Sequence, residues 1–453
     1  MRAEESSLSF AEREVFGCSQ KLKMKILFIV PGAGDSFYCG NCFRDNLQAN
    51  ALRSAGHDVV IMPLYLPLKD LSFQADTPLF FPATSFFLSQ KYFKKRSLPR
   101  WMGKILDSNF VLNIAASLSG STTSEGLENL TLSMIYGDGS AFEQQAQSII
   151  DWIKDHERPD IIHLSSTLVI GIAKAIRQAI DIPIVCSLQD EEVWVDKLEK
   201  KYADTAWQGI IDNIQYINSF VTTSEFYKQM ITGRFPQIKN VSVVYSGVDT
   251  EKYACDSYPA DPVVGFFYHM NEENGLGILA DAFVKLKQKG QFDALRLRIG
   301  GGYTSADKKF LNKIRRKLAP YKDKVDWHEK YSLNEHAEFY RQISAICVPI
   351  TFDESIGLYL CEAFAAGRPA IEPATGSFAE IVGDAGIIYE TNNADCLADA
   401  IEQLLTDEIK LIHCSNNALR LSLTRYNKDV LANGLSKIYT CYIPSHKHVG
   451  VKT

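Results

Sequence analysis

The chain has 453 residues, 46% of them hydrophobic, and is therefore long enough to bury at least two separate cores. Its formal net charge of -6 and pI near 5.9 argue against a general nucleic-acid-binding protein, which is usually basic. No apolar run approaches the ~20 residues that a membrane-spanning helix needs. Residues 1–23 are polar, lack the apolar stretch of a secretory signal, and are interpreted as an N-terminal appendage.

Short apolar runs alternate with longer amphipathic stretches, a pattern that predicts parallel sheets covered by helices. A glycine-rich turn, PGAGDSFYCGN, follows the first run, and a helical pattern ending at Gly56 comes next. Residues 68–159 are predicted to be largely irregular. The predicted strands of this first series are 25–30, 58–67, 160–166, 182–188, 218–225 and 241–247.

A second alternating series begins at residue 262. Its predicted strands are 262–268, 295–301, 325–331, 345–351 and 369–373. Two such series predict an α/β protein with two Rossmann-like domains that face each other across a cleft. The predicted domains are 24–255 and 256–425, and the amphipathic segment within 426–453 is expected to pack back across the first domain.

The glycine-rich turn does not carry a dinucleotide-binding fingerprint. Gly32, Gly34 and Phe37 occupy the three positions of G-x-G-x-x-G, and without the third glycine the helix would crowd the strand. A loop whose amides approach a charged ligand is still expected. Cys39 and Cys42 in the same turn have no second ligand pair at suitable spacing. They are therefore predicted to be structural thiols in preference to a redox or metal site.

Residues 350–382 carry the strongest functional signal. The strand ending near residue 351 delivers Asp353 and Glu354 to its carboxyl end, where ligands of parallel sheets bind. Residues 355–357 are predicted to start a helix whose free amides favour an anion such as a diphosphate. Glu362 would lie ~12 Å further along the axis. One carboxylate could then hold a sugar and the other a ribose, although Glu354 alone also fits an ordinary acidic helix start.

This stretch resembles the Glu-x7-Glu region of retaining glycosyltransferases of family 4, which have the GT-B fold. The family pattern E-G-F-G-L-x-x-x-E-A-x-A-x-G-x-P aligns with residues 354–369, and G-x-x-E-I-V aligns with the segment ending at Val382. Tyr245-Ser-Gly-Val-Asp249 is similar to the family's N-G-V-D turn. The resemblance covers residues 24 to about 442 and is denser in the C-terminal half. It implies transfer of a sugar from a nucleotide sugar to an unidentified glycan, lipid or small-molecule acceptor.

The resemblance also implies roles for single residues. Glu354 would contact the donor sugar, and Glu362 the ribose. The residues expected to bind the diphosphate or sugar at the helix start are Ser355, Ile356, Gly357 and Leu358. Family members typically retain the anomeric configuration without a protein nucleophile, because the leaving phosphate helps to deprotonate the attacking hydroxyl. Neither a metal nor a separate cofactor is expected.

The chain departs from the family pattern where an Arg and a Lys usually grip the diphosphate. His269 and Asn274 stand at those positions, so two fixed charges become one titratable ring and one neutral amide. His269 could be protonated by the diphosphate, while Asn274 donates a hydrogen bond. Alternatively, another cation could act instead, the candidates being Arg44, Lys330 and Arg368. A third possibility is a binding protein that turns over little substrate.

The first domain is expected to supply the acceptor side of the cleft. Many relatives carry a His after the strand 182–188, where this chain has Gln189, which cannot exchange protons near neutrality. The other predicted cleft residues are Gly34, Gly40 and His163, although a structural histidine is an equal alternative for the last. The acidic run 190–192 could orient hydroxyls or a cationic acceptor, or simply face solvent.

Residues 86–106 interleave basic and aromatic side chains. This composition suits a peripheral contact with an anionic membrane surface, and a solvated face over an ordinary core is the alternative. Most of the ten cysteines stand singly in apolar context, as expected of reduced thiols. The sequence thus predicts a cytoplasmic protein that could contact the inner membrane face.

Overall fold

A computed structural model describes residues 23–31, 38, 40–64, 128–156, 158–255, 257–290, 292–329, 335–355 and 357–443. Within these ranges the chain forms two α/β domains, each built on a parallel sheet of six described strands. No described helix is long and apolar enough to cross a membrane.

The first sheet has the strand order β2-β1-β3-β4-β5-β6. β1 is buried along almost its whole length because helices cover both faces of the sheet. The strands are β1 (Lys25–Val30), β2 (Asp58–Pro63), β3 (Ile161–Leu164), β4 (Ile184–Ser187), β5 (Ser219–Thr222) and β6 (Val241–Val243).

The second sheet has the order β12-β11-β10-β7-β8-β9, and all its pairings are parallel. Both domains are therefore Rossmann-like. The strands are β7 (Val263–Phe267), β8 (Arg296–Gly300), β9 (Val325–His328), β10 (Ala345–Ile346), β11 (Ala370–Pro373) and β12 (Gly386–Tyr389).

Helices connect the strands and cover both sheets. In the first domain they are α1 (Gly40–Ser54), α2 (Glu128–Tyr136), α3 (Ser140–Asp155), α4 (Gly171–Ala179), α5 (Glu191–Val195), α6 (Lys200–Asn213) and α7 (Glu225–Arg234). The short helix α8 (Thr250–Tyr253) follows them and packs in the core of the second domain. The other helices of the second domain are α9 (Leu276–Gln288), α10 (Lys308–Leu318), α11 (His336–Arg341), α12 (Leu358–Ala365), α13 (Phe378–Val382), α14 (Ala394–Leu405) and α15 (Glu408–Thr424). The prediction of irregular structure over 68–159 was wrong for its last third, which holds α2 and α3.

The last helix, α16 (Lys428–Thr440), returns to the first domain. Leu431, Leu435 and Tyr439 share a core with β1 and α1. The Asn427 side chain accepts hydrogen bonds from the first amides of the helix and so fixes its start. A Cβ at Gly247 would collide with the Asn427 backbone, which explains the glycine in the turn that leads out of the first domain.

Glu380 of α13 ties the two domains together. Its carboxylate accepts hydrogen bonds from the amides of Glu225 and Phe226 at the start of α7, at 2.8 and 2.9 Å. The Tyr245 hydroxyl donates to the same carboxylate at 2.7 Å. An acid from one domain thus caps a helix of the other, which sets how the carboxyl ends of the two sheets face each other.

Candidate functional site

Glu354 lies in the loop between β10 and α12 and is 3% exposed. The turn before α13 clamps its backbone, since the Ser377 amide donates to the Glu354 carbonyl at 2.8 Å. A Cβ at Gly376 would collide with the Glu354 backbone, so this turn requires glycine. The Glu354 carboxylate accepts a hydrogen bond from the Gly357 amide at 3.2 Å. It therefore faces the start of α12.

The helix begins later than the sequence predicts. Gly357 adopts a left-handed conformation with φ 53°, and the first helical residue is Leu358. Glu354 consequently lies in the loop, so the predicted spacing along a single helix axis is wrong. Ser355 is fully buried, and its carbonyl accepts a hydrogen bond from Thr223 of the first domain at 3.2 Å. Ile356 lies outside the described residues.

Glu362 is completely buried at the centre of a polar cluster. One carboxylate oxygen contacts the Tyr253 hydroxyl at 2.6 Å and His336 Nδ1 at 2.8 Å. The other accepts hydrogen bonds from the Tyr340 hydroxyl at 2.9 Å and the Tyr38 hydroxyl at 3.1 Å. Four partners offset the desolvation of the buried carboxylate.

Tyr38 is the contribution of the first domain to this cluster, and sequence reasoning missed it. Its ring packs against Phe267, Tyr268 and His336, and its amide donates to the Gly301 carbonyl at 2.7 Å. Tyr38 is 1% exposed. Tyr38, two residues before α1, therefore reaches across the cleft and contacts the carboxylate predicted to bind ribose.

His269 and Asn274 lie in the turn between β7 and α9. His269 Nε2 is 2.8 Å from Asp307 Oδ2. Burial alone would raise the pKa of Asp307, but hydrogen bonds from His269 and Thr304 hold it below its usual value. Asn274 donates its side-chain amide to the His269 carbonyl at 2.8 Å and is 4% exposed. Asn274 thus fixes the turn that presents His269.

Of the three candidate replacement cations, the structure describes Arg44 and Arg368. Arg368 donates to the carbonyls of Tyr340, Ser257 and Arg341 and is therefore engaged outside the cleft. Lys330 lies outside the described residues. Arg44 is 1% exposed and pairs with Asp45 at 3.0 Å. Its Nε and Nη1 have no hydrogen-bond partner within the described part of the chain.

His163 lies in the core of the first domain, on β3, and has no exposed surface. Its ring stacks on Phe28 and contacts the Ser187 and Tyr439 hydroxyls. Burial, with a smaller contribution from the positive charge of Arg44, lowers its pKa to about 3. This geometry matches the structural alternative and provides no surface for an acceptor.

The other predicted cleft residues are only partly described. Gln189 is 6% exposed and donates to the Ser165 carbonyl. Gly40 begins α1, where an added Cβ would lie 3.3 Å from the Tyr268 hydroxyl. Gly34, the side chains of Cys39 and Cys42, and the basic segment 86–106 lie outside the described residues. Across the described ranges, no group of three or more His, Cys, Asp or Glu side chains could hold a metal ion.

Two Rossmann-like domains whose sheets present their carboxyl ends to a shared cleft define a GT-B protein. Sucrose-phosphate synthase from Thermosynechococcus elongatus has this fold, with a TM-score of 0.66 and 16% identity over 92% of this chain and 98% of that one. Anabaena HepE, solved in complex with UDP, has a TM-score of 0.64 and 15% identity over 92% of this chain and 100% of its own. At these identities the likeness shows the fold alone.

Two adjoining stretches of the chain match glycosyltransferase families. Residues 250–421 match the glycosyl transferases group 1 family, and residues 134–252 match Glycosyltransferase Family 4. A D-inositol 3-phosphate glycosyltransferase of Corynebacterium aurimucosum is 25% identical over 57% of this chain and 66% of its own length. A phosphatidyl-myo-inositol mannosyltransferase of Mycobacterium tuberculosis is 27% identical over 43% of this chain and 52% of its own length. The chain thus spans two thirds or less of each of these two relatives.

Proposed function

We propose that the protein transfers a sugar from a nucleotide-sugar donor to a hydroxyl of an acceptor, with retention of anomeric configuration. The observation that carries this proposal is the pair of glutamates on either side of the start of α12, both at the boundary between the domains. The two family matches and the UDP and UDP-glucose complexes of HepE support a nucleotide-sugar donor.

In this proposal Glu354 holds the donor sugar and Glu362 holds the ribose. The Leu358 amide would face the diphosphate at the positive end of the α12 dipole. His269, fixed by Asp307, would donate to a phosphate oxygen as negative charge develops on it. No metal is required, because these donors supply the charge stabilisation.

Ribose can reach Glu362 only if the Tyr38 hydroxyl withdraws from it. Of the four partners, Tyr38 lies farthest from the carboxylate, and it alone comes from the other domain. A ribose hydroxyl would replace the phenol as hydrogen-bond donor. Donor binding is therefore coupled to a shift of the Tyr38 side chain.

The transfer itself breaks the bond between the anomeric carbon and the phosphate oxygen, whose electron pair leaves with the nucleotide. The acceptor oxygen forms the new bond on the same face, and its proton passes to the departing phosphate. The protein positions the reactants and stabilises charge. The alternative, a binding protein with little turnover, is not favoured, because both glutamates persist and the compared relatives are named as transferases.

We assign the protein to a reducing compartment, the cytoplasm. The described cysteines support this assignment because all of them are free thiols, and Cys186, Cys347 and Cys361 are buried among apolar side chains.

Nucleotide release from a panel of UDP-, ADP- and GDP-linked glucose tests the function. The wild type is expected to turn over one of these donors, and Glu354→Gln to lose at least 100-fold in rate, as for the removal of a transition-state contact. Glu354→Gln should still bind the free nucleotide in a thermal-shift assay. Glu408→Gln, an exposed change on α15, serves as the control. Turnover by Glu354→Gln at the control rate would contradict the assignment.

A further inference from the structure

Three consecutive acids, Asp190, Glu191 and Glu192, follow β4 at the edge of the cleft. Glu191 is buried and fully engaged: one oxygen accepts from the Thr167 amide at 3.1 Å, and the other from the Gln189 amide at 2.7 Å. The Tyr227 hydroxyl lies 2.9 Å from Glu191 and 2.7 Å from Glu192. Two of the three acids therefore hold the loop together.

Asp190 is held in a different way. Its backbone is left-handed, with φ 51° and ψ 32°, and Asn240 is the other non-glycine residue with positive φ in the described ranges. Such a conformation is strained for a residue with a side chain. The hydrogen bonds of Glu191 to the Gln189 amide and to Tyr227 fix the chain on both sides. The loop thus imposes a strained conformation on Asp190.

The side chain of Asp190 faces the second domain. Its Oδ1 is shielded from solvent and accepts no hydrogen bond from any described residue, although the residue as a whole is partly exposed. Burial and the negative charges of Glu354 and Glu192 raise the pKa of Asp190 well above its usual value, while hydrogen bonding of the Ser355 side chain to the carboxyl group opposes this shift. An acid of the first domain therefore lies beside the proposed sugar-binding acid of the second.

Neighbouring polar atoms at the same sheet edge also lack partners. Gln189 and Arg44 both donate to the Ser165 carbonyl, at the end of β3. Gln189 Oε1 and Arg44 Nε are buried and have no partner among the described residues. Buried polar atoms without partners are costly in a folded protein, so several at one edge indicate a place for a hydroxyl-rich ligand.

We propose that Asp190 binds the acceptor, its Oδ1 accepting the hydrogen bond of the hydroxyl that attacks the sugar. This role rests on the proposed transferase function. The acceptor oxygen supplies the electron pair of the new bond to the anomeric carbon, and its proton passes to the leaving phosphate. Asp190 holds that oxygen in line beforehand. The acid cluster favours a neutral hydroxyl at this point over an anionic group.

The test measures release of nucleotide from the donor that the wild type uses, with water standing in for the acceptor hydroxyl. Asp190→Asn and Asp190→Gly are expected to lower kcat about 10- to 100-fold, the range for a lost hydrogen bond to a charged group. The KM for the donor should stay within twofold. Asn240→Gly relieves the same backbone strain at a site away from the cleft and should keep the wild-type rate.

Stability separates this role from a structural one. Asp190→Asn removes a negative charge beside Glu354, and Asp190→Gly removes the left-handed strain, so neither variant should lower the Tm. A wild-type kcat in both variants, or a drop in Tm that accompanies the lost rate, would overturn the role of Asp190 alone. A wild type that turns over no donor would overturn the proposed function, and this role with it.

Discussion

Replacing Glu362 with glutamine probes the buried cluster and the proposed ribose site together. Glutamine keeps one acceptor oxygen and turns the other into an amide donor, so two of the four partners lose their acceptor whichever way the amide points. Hydrogen bonds to a buried charge contribute about 1.5–3 kcal/mol each, and relief of the desolvation cost offsets part of the loss. We expect Glu362→Gln to destabilise the protein by about 2–4 kcal/mol.

The loss should appear as a Tm lower by about 5–15 °C, given 2–4 °C per kcal/mol for a domain of this size. The same variant should bind free UDP at least tenfold more weakly, because a ribose diol prefers a charged acceptor. Tyr38→Phe is the matched variant: it removes the partner from the other domain and is expected to tighten UDP binding. A Glu362→Gln protein that melts and binds UDP like the wild type would refute this reasoning.

Three further predictions concern the frame around the site. Gly275→Ala should prevent accumulation of soluble protein or lower the Tm by more than 10 °C, because Gly275 has φ 79° and the added Cβ would collide with the Pro349 carbonyl. Gly290→Ala is the matched control: Gly290 has φ 68° but open space around it, so this change should lower the stability by only ~1 kcal/mol. His163 has a folded-state pKa of about 3, below its unfolded value, so its contribution to stability is full above pH 6.5 and decreases as the pH is lowered. In denaturant titrations, this group should make the free energy of unfolding about 1.4 kcal/mol lower at pH 5.5 than at pH 8. His163→Gln should remove that difference. Glu380→Gln should speed hydrogen exchange at the first amides of α7, and unchanged exchange would contradict its role as an interdomain cap.

The strands of both sheets were largely predictable because their buried runs are apolar. The run 25–30 was predicted to the residue, and 262–268 exceeds β7 by one residue at each end. β12 was missed, since three of its four residues are only half-buried and its apolar run is short. The helix α3 was missed because the region before it carries no strand pattern that would place it between sheet elements.

Prediction of the site succeeded where the residues are close in sequence. The spacing of Glu354 and Glu362 pointed to the start of α12, but the left-handed Gly357 that delays the helix has no local signature. Tyr38 and His336 reach Glu362 from distant segments, and no spacing rule brings them together. The apolar run around His163 indicated a structural role for this residue, since a strand buried on both faces holds its histidine in the core.

A structure of the protein crystallised with UDP would test the central claim most directly. The account predicts the ribose hydroxyls within about 3 Å of the Glu362 carboxylate, the diphosphate at the start of α12 beside Leu358, and the Tyr38 hydroxyl displaced from Glu362. UDP bound elsewhere, with the Tyr38 hydroxyl still donating to Glu362, would contradict it.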